Sequence, residues 1–322
     1  MQASLWIENL TNPALLFFFL GIFAVYVKSD LSIPEGSSKF ISLYLLFSIG
    51  FKGGVELSHS ELGWDIALIL FFGVLLAVSV PLYSFFILKP KLGIYNAAAI
   101  AAAYGSVSAV TFVTAVSFLE IHQVEFGGHM VAVMALMEAP AIIVGVALLS
   151  RFRNEKIQEN EVSFRELIRH SFTNGSVLLI LGSLFIGFFA SDKQAQGISP
   201  FTTDIFKGFL AVFLLDIGIS SGKKLSAFRK YGFFPFAFAI LVPLFNGTLI
   251  AYLSRFVTYS HGDQLLFAIL AASASYIAVP AAMKLAAPQA NQGLYIPMAL
   301  AITFPFNITI GMPWYMYVIE TV

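Results

Sequence analysis

The chain contains no cysteine and little charge. Its 322 residues include no Cys, only 11% are charged, and the formal net charge is zero. The lack of cysteine excludes disulfides, thiolate metal sites and cysteine nucleophiles, and the neutral balance gives no argument for a nucleic-acid partner. No phosphate-binding loop, nucleophile elbow or zinc motif is present. These absences argue against an ATP-driven pump, a membrane enzyme and a metal site.

Long apolar runs dominate the sequence instead. Hydrophobic residues make up 58% of the chain, which is too much for a soluble domain of this length. A helix needs about 20 apolar residues to cross the hydrocarbon core, and barrel strands would alternate polar and apolar positions. We predict an all-α polytopic protein of the lipid bilayer with about ten transmembrane helices. These are placed at 12–28, 37–57, 64–88, 94–120, 127–149, 173–191, 201–221, 232–257, 263–287 and 293–318.

A polar segment divides the ten predicted spans into two sets of five. We predict a first five-helix repeat at 1–150, a cytoplasmic linker at 151–172, and a second five-helix repeat at 173–322. The second repeat is inverted, because an odd number of spans precedes it. Cytoplasmic loops collect Lys and Arg, and with the termini outside only Lys52, Lys193, Lys207 and Arg255 of the 18 basic residues fall outside. Both termini are therefore predicted to be extracytoplasmic.

Two alanine-rich runs are interrupted in the same way. An ungapped alignment of these runs, 96–111 and 265–280, that places Ser106 on Ser273 also places Ser108 on Ser275. Serines in membrane helices often only bond to their own helix or join neighbours. A pair of breaks at corresponding positions of two apolar halves instead indicates a transporter's binding site.

The predicted breaks have the chemistry of an anion site. Each new half-helix exposes backbone N–H groups that favour an anion, and the serine hydroxyls can donate to an anion or offer oxygen to a cation such as Na⁺. The candidate substrate-binding residues are Gly105, Ser106, Val107, Ser108, Ala109, Ser273, Ala274, Ser275 and Tyr276.

Glu138 is a carboxylate in the middle of the fifth predicted span. Burying such a group is costly, and an intramembrane carboxylate indicates a functional site. It could coordinate Na⁺, carry a proton, or cap the helix that Pro140 loosens, and we favour the cation role. The candidate cation-binding residues are Ser106, Thr111, Glu138, Ser273 and Ser275.

Several motifs carry a resemblance to a known family. They are Ile49-Gly-Phe-Lys-Gly-Gly54, Gly105-Ser-Val-Ser108 with the run to Leu119-Glu120, Met137-Glu-Ala-Pro-Ala141, and 271–280. At these residues the chain resembles the sodium-dependent bicarbonate transporters of cyanobacteria. The resemblance implies a five-plus-five inverted repeat with two broken helices, a homotrimer, and bicarbonate uptake with sodium as the coupling ion and no cofactor. It also raises a small PII-like signalling protein as a candidate cytoplasmic partner.

The chain departs from the family pattern at the second break. Tyr276 stands where the family has an aspartate, Ala278 and Val279 replace Ser-Gly, and Glu138 stands where the family has an aspartate. The leading hypothesis is a sodium-driven bicarbonate symporter. A carrier of another organic anion, like the bile-acid or auxin carriers, and a membrane anion sensor without transport remain as alternatives.

Overall fold

The computed structural model describes residues 2–60, 63–153 and 175–321. All regular secondary structure in these ranges is helical, as predicted. Most of the predicted cytoplasmic linker, from residue 154 onward, lies outside the described residues.

The helices follow the chain in this order. They are α1 Gln2–Leu10, α2 Pro13–Tyr26, α3 Glu35–Ser58, α4 Trp64–Gly105, α5 Ala109–Ile121, α6 His129–Phe152, α7 Gly175–Phe189, α8 Asp192–Ser199, α9 Phe206–Phe228, α10 Phe233–Leu253, α11 His261–Ala272, α12 Ala278–Ala286 and α13 Gln292–Thr321. A π-helical turn, Pro200–Asp204, joins α8 to α9, and α13 contains two more.

The helix α4 is a hairpin of two helical segments. They meet at Gly93, whose φ of 74° is readily available only to glycine. Pro81 and Gly105 are equidistant along the chain from Gly93, and a Cβ on Gly105 would lie 2.0 Å from Pro81 Cγ. The two segments therefore run back antiparallel to each other, and the chain turns between the third and fourth predicted spans.

Six helical stretches in the described residues are long and apolar enough to cross a membrane. One of them, Trp64–Ile121, contains the turn at Gly93 and so covers two predicted spans. The helices α2 and α7 are apolar but shorter, with 14 and 15 residues. The all-helical, multi-pass architecture is confirmed, whereas the full set of ten spans stays a prediction. The short helix α1 was not predicted.

The helices pack in two groups. The first group pairs helices from different halves of the chain, and the second pairs helices mainly within each half. In the first group, α2 packs along α9 and α3 packs along α7. In the second group, α4 packs along α6, and α10 packs on α11 and on the end of α13. The groups meet where α3 contacts α5 and α6, and where α9 contacts α13.

Glycines set the closest approaches within the first group. A Cβ on Gly218 of α9 would lie 2.1 Å from the Phe18 carbonyl oxygen of α2. A Cβ on Gly187 of α7 would lie 2.2 Å from the Phe51 carbonyl oxygen of α3. Backbones approach this closely in membranes only where the side chain is minimal. Glycine is therefore required at both crossings.

Adding one methyl group at a crossing tests this packing. We expect Gly218→Ala to lower the stability of the folded protein by about 1–3 kcal/mol, because overpacking forces the backbones apart. Gly208→Ala, on the same helix but with open space around it, should be neutral or stabilising by up to about 1 kcal/mol. Thermal unfolding of the purified protein in detergent measures both. If Gly218→Ala and Gly208→Ala had the same melting temperature, the close crossing of α2 and α9 at Gly218 would be contradicted.

Candidate functional site

The helix ends next to the two serine pairs are joined by hydrogen bonds. α4 ends at Gly105 and α5 begins at Ala109, while α11 ends at Ala272 and α12 begins at Ala278. The Ser108 N–H donates to Ser273 Oγ at 3.0 Å, and the Ser275 N–H donates to the Ala103 carbonyl at 2.8 Å. The first bond joins the segments 106–108 and 273–277, and the second joins 273–277 to the end of α4.

Serine side chains cap the helices that follow the two segments. Ser108 is the N-cap of α5, and its Oγ accepts from the Thr111 N–H at 3.2 Å. Ser275 Oγ accepts from the Val279 N–H of α12 at 3.4 Å. Serine is favoured at such positions because its hydroxyl satisfies an N–H that lacks a helical partner. Thus Ser108 is a true N-cap, whereas the N-cap position of α12 is Ile277 and Ser275 bonds its first turn from two residues further upstream.

Two asparagines donate hydrogen bonds to the last carbonyl groups of α11. Asn246 of α10 donates to the Ala271 carbonyl at 3.1 Å, and Asn307 of α13 donates to the Ala272 carbonyl at 2.8 Å. Both asparagines are buried, and the last carbonyls of a helix have no partner within it. Sequence reasoning did not assign them a role, since a single Asn in an apolar span gives no sign of its partner.

A small cavity, here called the inner cavity, lies against both segments. Its volume is about 40 Å³. The second helix group contributes Val107, Ser108, Ala109, Val110, Val113, Glu138, Ser275, Tyr276, Ile277 and Ala278. The first group contributes Ser42, Leu45, Leu46, Ser176 and Phe213, none of which the sequence analysis singled out. Since walls come from both groups, the cavity lies at the contact between them.

Only some of the predicted site residues reach the inner cavity. Val107, Ser108, Ala109, Ser275, Tyr276 and Glu138 line it, whereas Gly105, Ser106, Thr111, Ser273 and Ala274 are buried but absent from its lining. Ser273 Oγ accepts from Ser108 and donates to the Leu270 carbonyl at 3.0 Å, and Gly105 contacts Pro81. These two residues support the arrangement, and they do not face the cavity.

The electrostatic character of the inner cavity comes from two helix ends and one carboxylate. Ala109 and Ala278, the first residues of α5 and α12, both line it. The partial positive charges of two helix N-termini thus converge on one small space. Glu138 of α6 faces the same space and has no hydrogen bond or ion pair within the described part of the chain. The cavity combines an attraction for an anion with an uncompensated acid.

One buried hydroxyl at each break has no hydrogen-bond partner among the described residues. Ser106 Oγ and Tyr276 Oη are buried and make no hydrogen bond with the described residues. Buried polar groups are nearly always hydrogen-bonded, and exceptions call for a ligand or water. The Tyr276 ring also packs edge-on against Phe304 of α13, with 6.5 Å between centroids. Tyr276 lines the inner cavity, so its hydroxyl is available to a bound group, whereas Ser106 does not reach the lining.

Apolar helices that are long enough to cross a bilayer define an integral, multi-pass membrane protein, and a small cavity lies between its two helix groups. The model of the Na⁺-dependent bicarbonate transporter superfamily matches residues 13–320. The chain belongs to this superfamily, and membership of a transporter family implies that it is not an enzyme. No curated protein matches the chain.

The asparagine caps of α11 can be tested by substitution. We expect Asn307→Leu to lower stability by about 1–3 kcal/mol, because the buried Ala272 carbonyl loses its donor. Thr309→Val is the control on the same helix, since the Thr309 hydroxyl bonds only carbonyls of α13 itself. Thermal unfolding in detergent measures both variants. An unchanged melting temperature for Asn307→Leu would show that Ala272 finds another donor.

Proposed function

We propose that this protein is a secondary transporter that imports a small anion, most favourably bicarbonate, together with Na⁺. The observation that carries the proposal is the convergence of the α5 and α12 N-termini on the inner cavity. Exposed N–H groups at a helix N-terminus are a ready site for an anion. Membership of the Na⁺-dependent bicarbonate transporter superfamily supports this proposal.

The size of the inner cavity favours a small anion over a large organic one. At about 40 Å³ it can hold on the order of three waters. Bicarbonate has four non-hydrogen atoms and is comparable in size. A carrier for a bulky carboxylate would need a larger space at this position, and no observation favours a sensor without transport. The bicarbonate anion has three oxygens and can also accept hydrogen bonds from the hydroxyls of Ser108, Ser275 and Tyr276.

Glu138 supplies the reason for coupling to a cation. A carboxylate and a bound anion about 4 Å apart repel by about 4 kcal/mol at an effective dielectric constant of about 20. A Na⁺ ion between them replaces this repulsion by two attractions. Anion and cation then stabilise each other's binding, which is the requirement for symport. Oxygen ligands for Na⁺ in this proposal are Glu138 and Ser275, both of which line the inner cavity.

The packing of the first helix group supports the inverted five-plus-five repeat. The pairs α2–α9 and α3–α7 each join one helix from each half of the chain, and each crosses through a glycine. We propose that the interrupted helices α4–α5 and α11–α12 are the corresponding broken spans of the two repeats, at 1–150 and 173–322. Extracytoplasmic termini, the homotrimer and the PII-like partner are further proposals, and the last two rest on family membership alone.

Uptake into sealed proteoliposomes tests the substrate and the site. We expect an inward Na⁺ gradient to increase uptake of labelled bicarbonate. Hydrogen bonds to charged groups contribute about 1.5–3 kcal/mol, and about 1.4 kcal/mol corresponds to tenfold. Ser108→Ala and Ser275→Ala should therefore each lower uptake about tenfold or more. Two variants serve as controls and should retain uptake. Ser108→Thr keeps the hydroxyl at the site, and Ser79→Ala removes a hydroxyl that bonds only the Leu76 carbonyl. Unchanged uptake by both alanine variants in folded protein would refute the site.

Replacing Glu138 tests the cation role. Glu138→Gln keeps the side-chain shape and removes the charge, so we expect the Na⁺ concentration for half-maximal uptake to rise at least tenfold. That factor corresponds to about 1.4 kcal/mol of lost cation binding. Glu138→Asp retains the charge and should retain Na⁺ dependence. If Glu138→Gln kept the wild-type response to Na⁺, the acid would have no part in coupling.

A further inference from the structure

A second, larger cavity lies at the other end of the contact between the helix groups. This outer cavity has a volume of about 560 Å³, and its lining includes Lys52, Glu56, Val116, Glu120 and Glu125. Glu56 and Glu125 are exposed, so the cavity reaches the surface of the chain. In the proposed topology this end, next to the loop 122–128, is extracytoplasmic.

The inner and outer cavities are walled by the same two helices. On α3, Leu46 lines the inner cavity and Ile49 lines the outer one. On α5, Val113 lines the inner cavity and Val116 the outer one. We call this continuous contact the α3–α5 seam. A substrate moving between the two cavities passes along it, and the apolar residues named here close the seam between them.

An ion pair crosses the α3–α5 seam on the outer side of those apolar residues. Lys52 Nζ lies 2.5 Å from Glu120 Oε1, and the two side chains are 32% and 25% exposed. A helix rises about 1.5 Å per residue, which places Glu120 roughly 10 Å along α5 from Val113. The pair joins α3 of the first helix group to α5 of the second. Both residues belong to motifs that carry the family resemblance, and the anion site uses neither.

We propose that the Lys52–Glu120 ion pair is a latch that closes the outer end of the seam over the inner cavity. The inference rests on the proposed transport function, in which the seam is the entry route. Opening the seam separates α3 from α5 and must therefore break this pair. Because both groups are partly exposed to water, the pair contributes little net stability and can open reversibly. Lys52 and Glu120 thus act as positioning residues for transport and do not contact bound substrate.

The absence of cysteine from the chain makes this proposal testable without transport. A single Val113→Cys lies in the inner cavity, and Gln123→Cys lies on the exposed lining of the outer one. Thiol reagents that do not cross membranes, one anionic and one cationic, are added to the side of the membrane from which Gln123→Cys is labelled. The rate of labelling of Val113→Cys then reports how often the seam opens.

The latch predicts faster labelling whenever either charge is removed. We expect Lys52→Met and Glu120→Gln each to increase the labelling rate of Val113→Cys about fivefold or more with both reagents. Glu56→Gln, a matched loss of charge in the same cavity, should leave the rate unchanged. The exchange Lys52→Glu with Glu120→Lys should return the rate toward that of the parent. Gel filtration and labelling of Gln123→Cys establish that each variant is folded.

Two results would overturn the latch. The first is an unchanged rate in both single variants. The second is a change of opposite sign for the anionic and the cationic reagent, which would show that the charges only alter the local reagent concentration. Neither result depends on bicarbonate uptake, so failure of the latch and failure of the proposed transport function remain distinguishable.

Discussion

The structure depends on how backbone groups are satisfied where helices end inside an apolar interior. An unsatisfied N–H or C=O there costs several kcal/mol, so an interrupted helix needs specific partners. Ser273 of one segment accepts from Ser108 of the other, and the Ser275 N–H donates to Ala103 at the end of α4. Asn246 and Asn307 complete the end of α11. With these demands met, the N-termini of α5 and α12 face the inner cavity, and this arrangement is the basis of the proposed anion site.

The packing is close within the first helix group and looser between the two groups. Within the first helix group, glycines let the backbones touch at Gly218 and Gly187, and such contacts resist rearrangement. Between the groups, the contact is less extensive and is interrupted by two cavities. The proposed anion site therefore lies at a boundary that is less tightly packed than the helix pairs of the first group. A partly exposed ion pair at this boundary can open without the large cost of separating a buried one.

Much of the fold class follows from composition and pattern. Apolar runs of membrane length predict helices because a lipid-exposed backbone must satisfy its own hydrogen bonds. Gly93 lies at the predicted gap between two spans, and its positive φ makes the turn. The alignment of Ser106 with Ser273 and of Ser108 with Ser275 predicted residues that the structure brings together. The short helix α1 was missed, since nine residues fall below the length that a search for spans detects.

The sequence by itself determined the helical membrane class and the positions of the serine pairs, and it predicted a role for Glu138, because these depend on local composition and on the cost of burying charge. Only the tertiary structure decided which helices face the cavity. Ser42 and Phe213 line it from α3 and α9, and Lys52 pairs with Glu120, a partner 68 positions away. Such contacts depend on how distant helices cross, which the periodicity of a single helix does not encode.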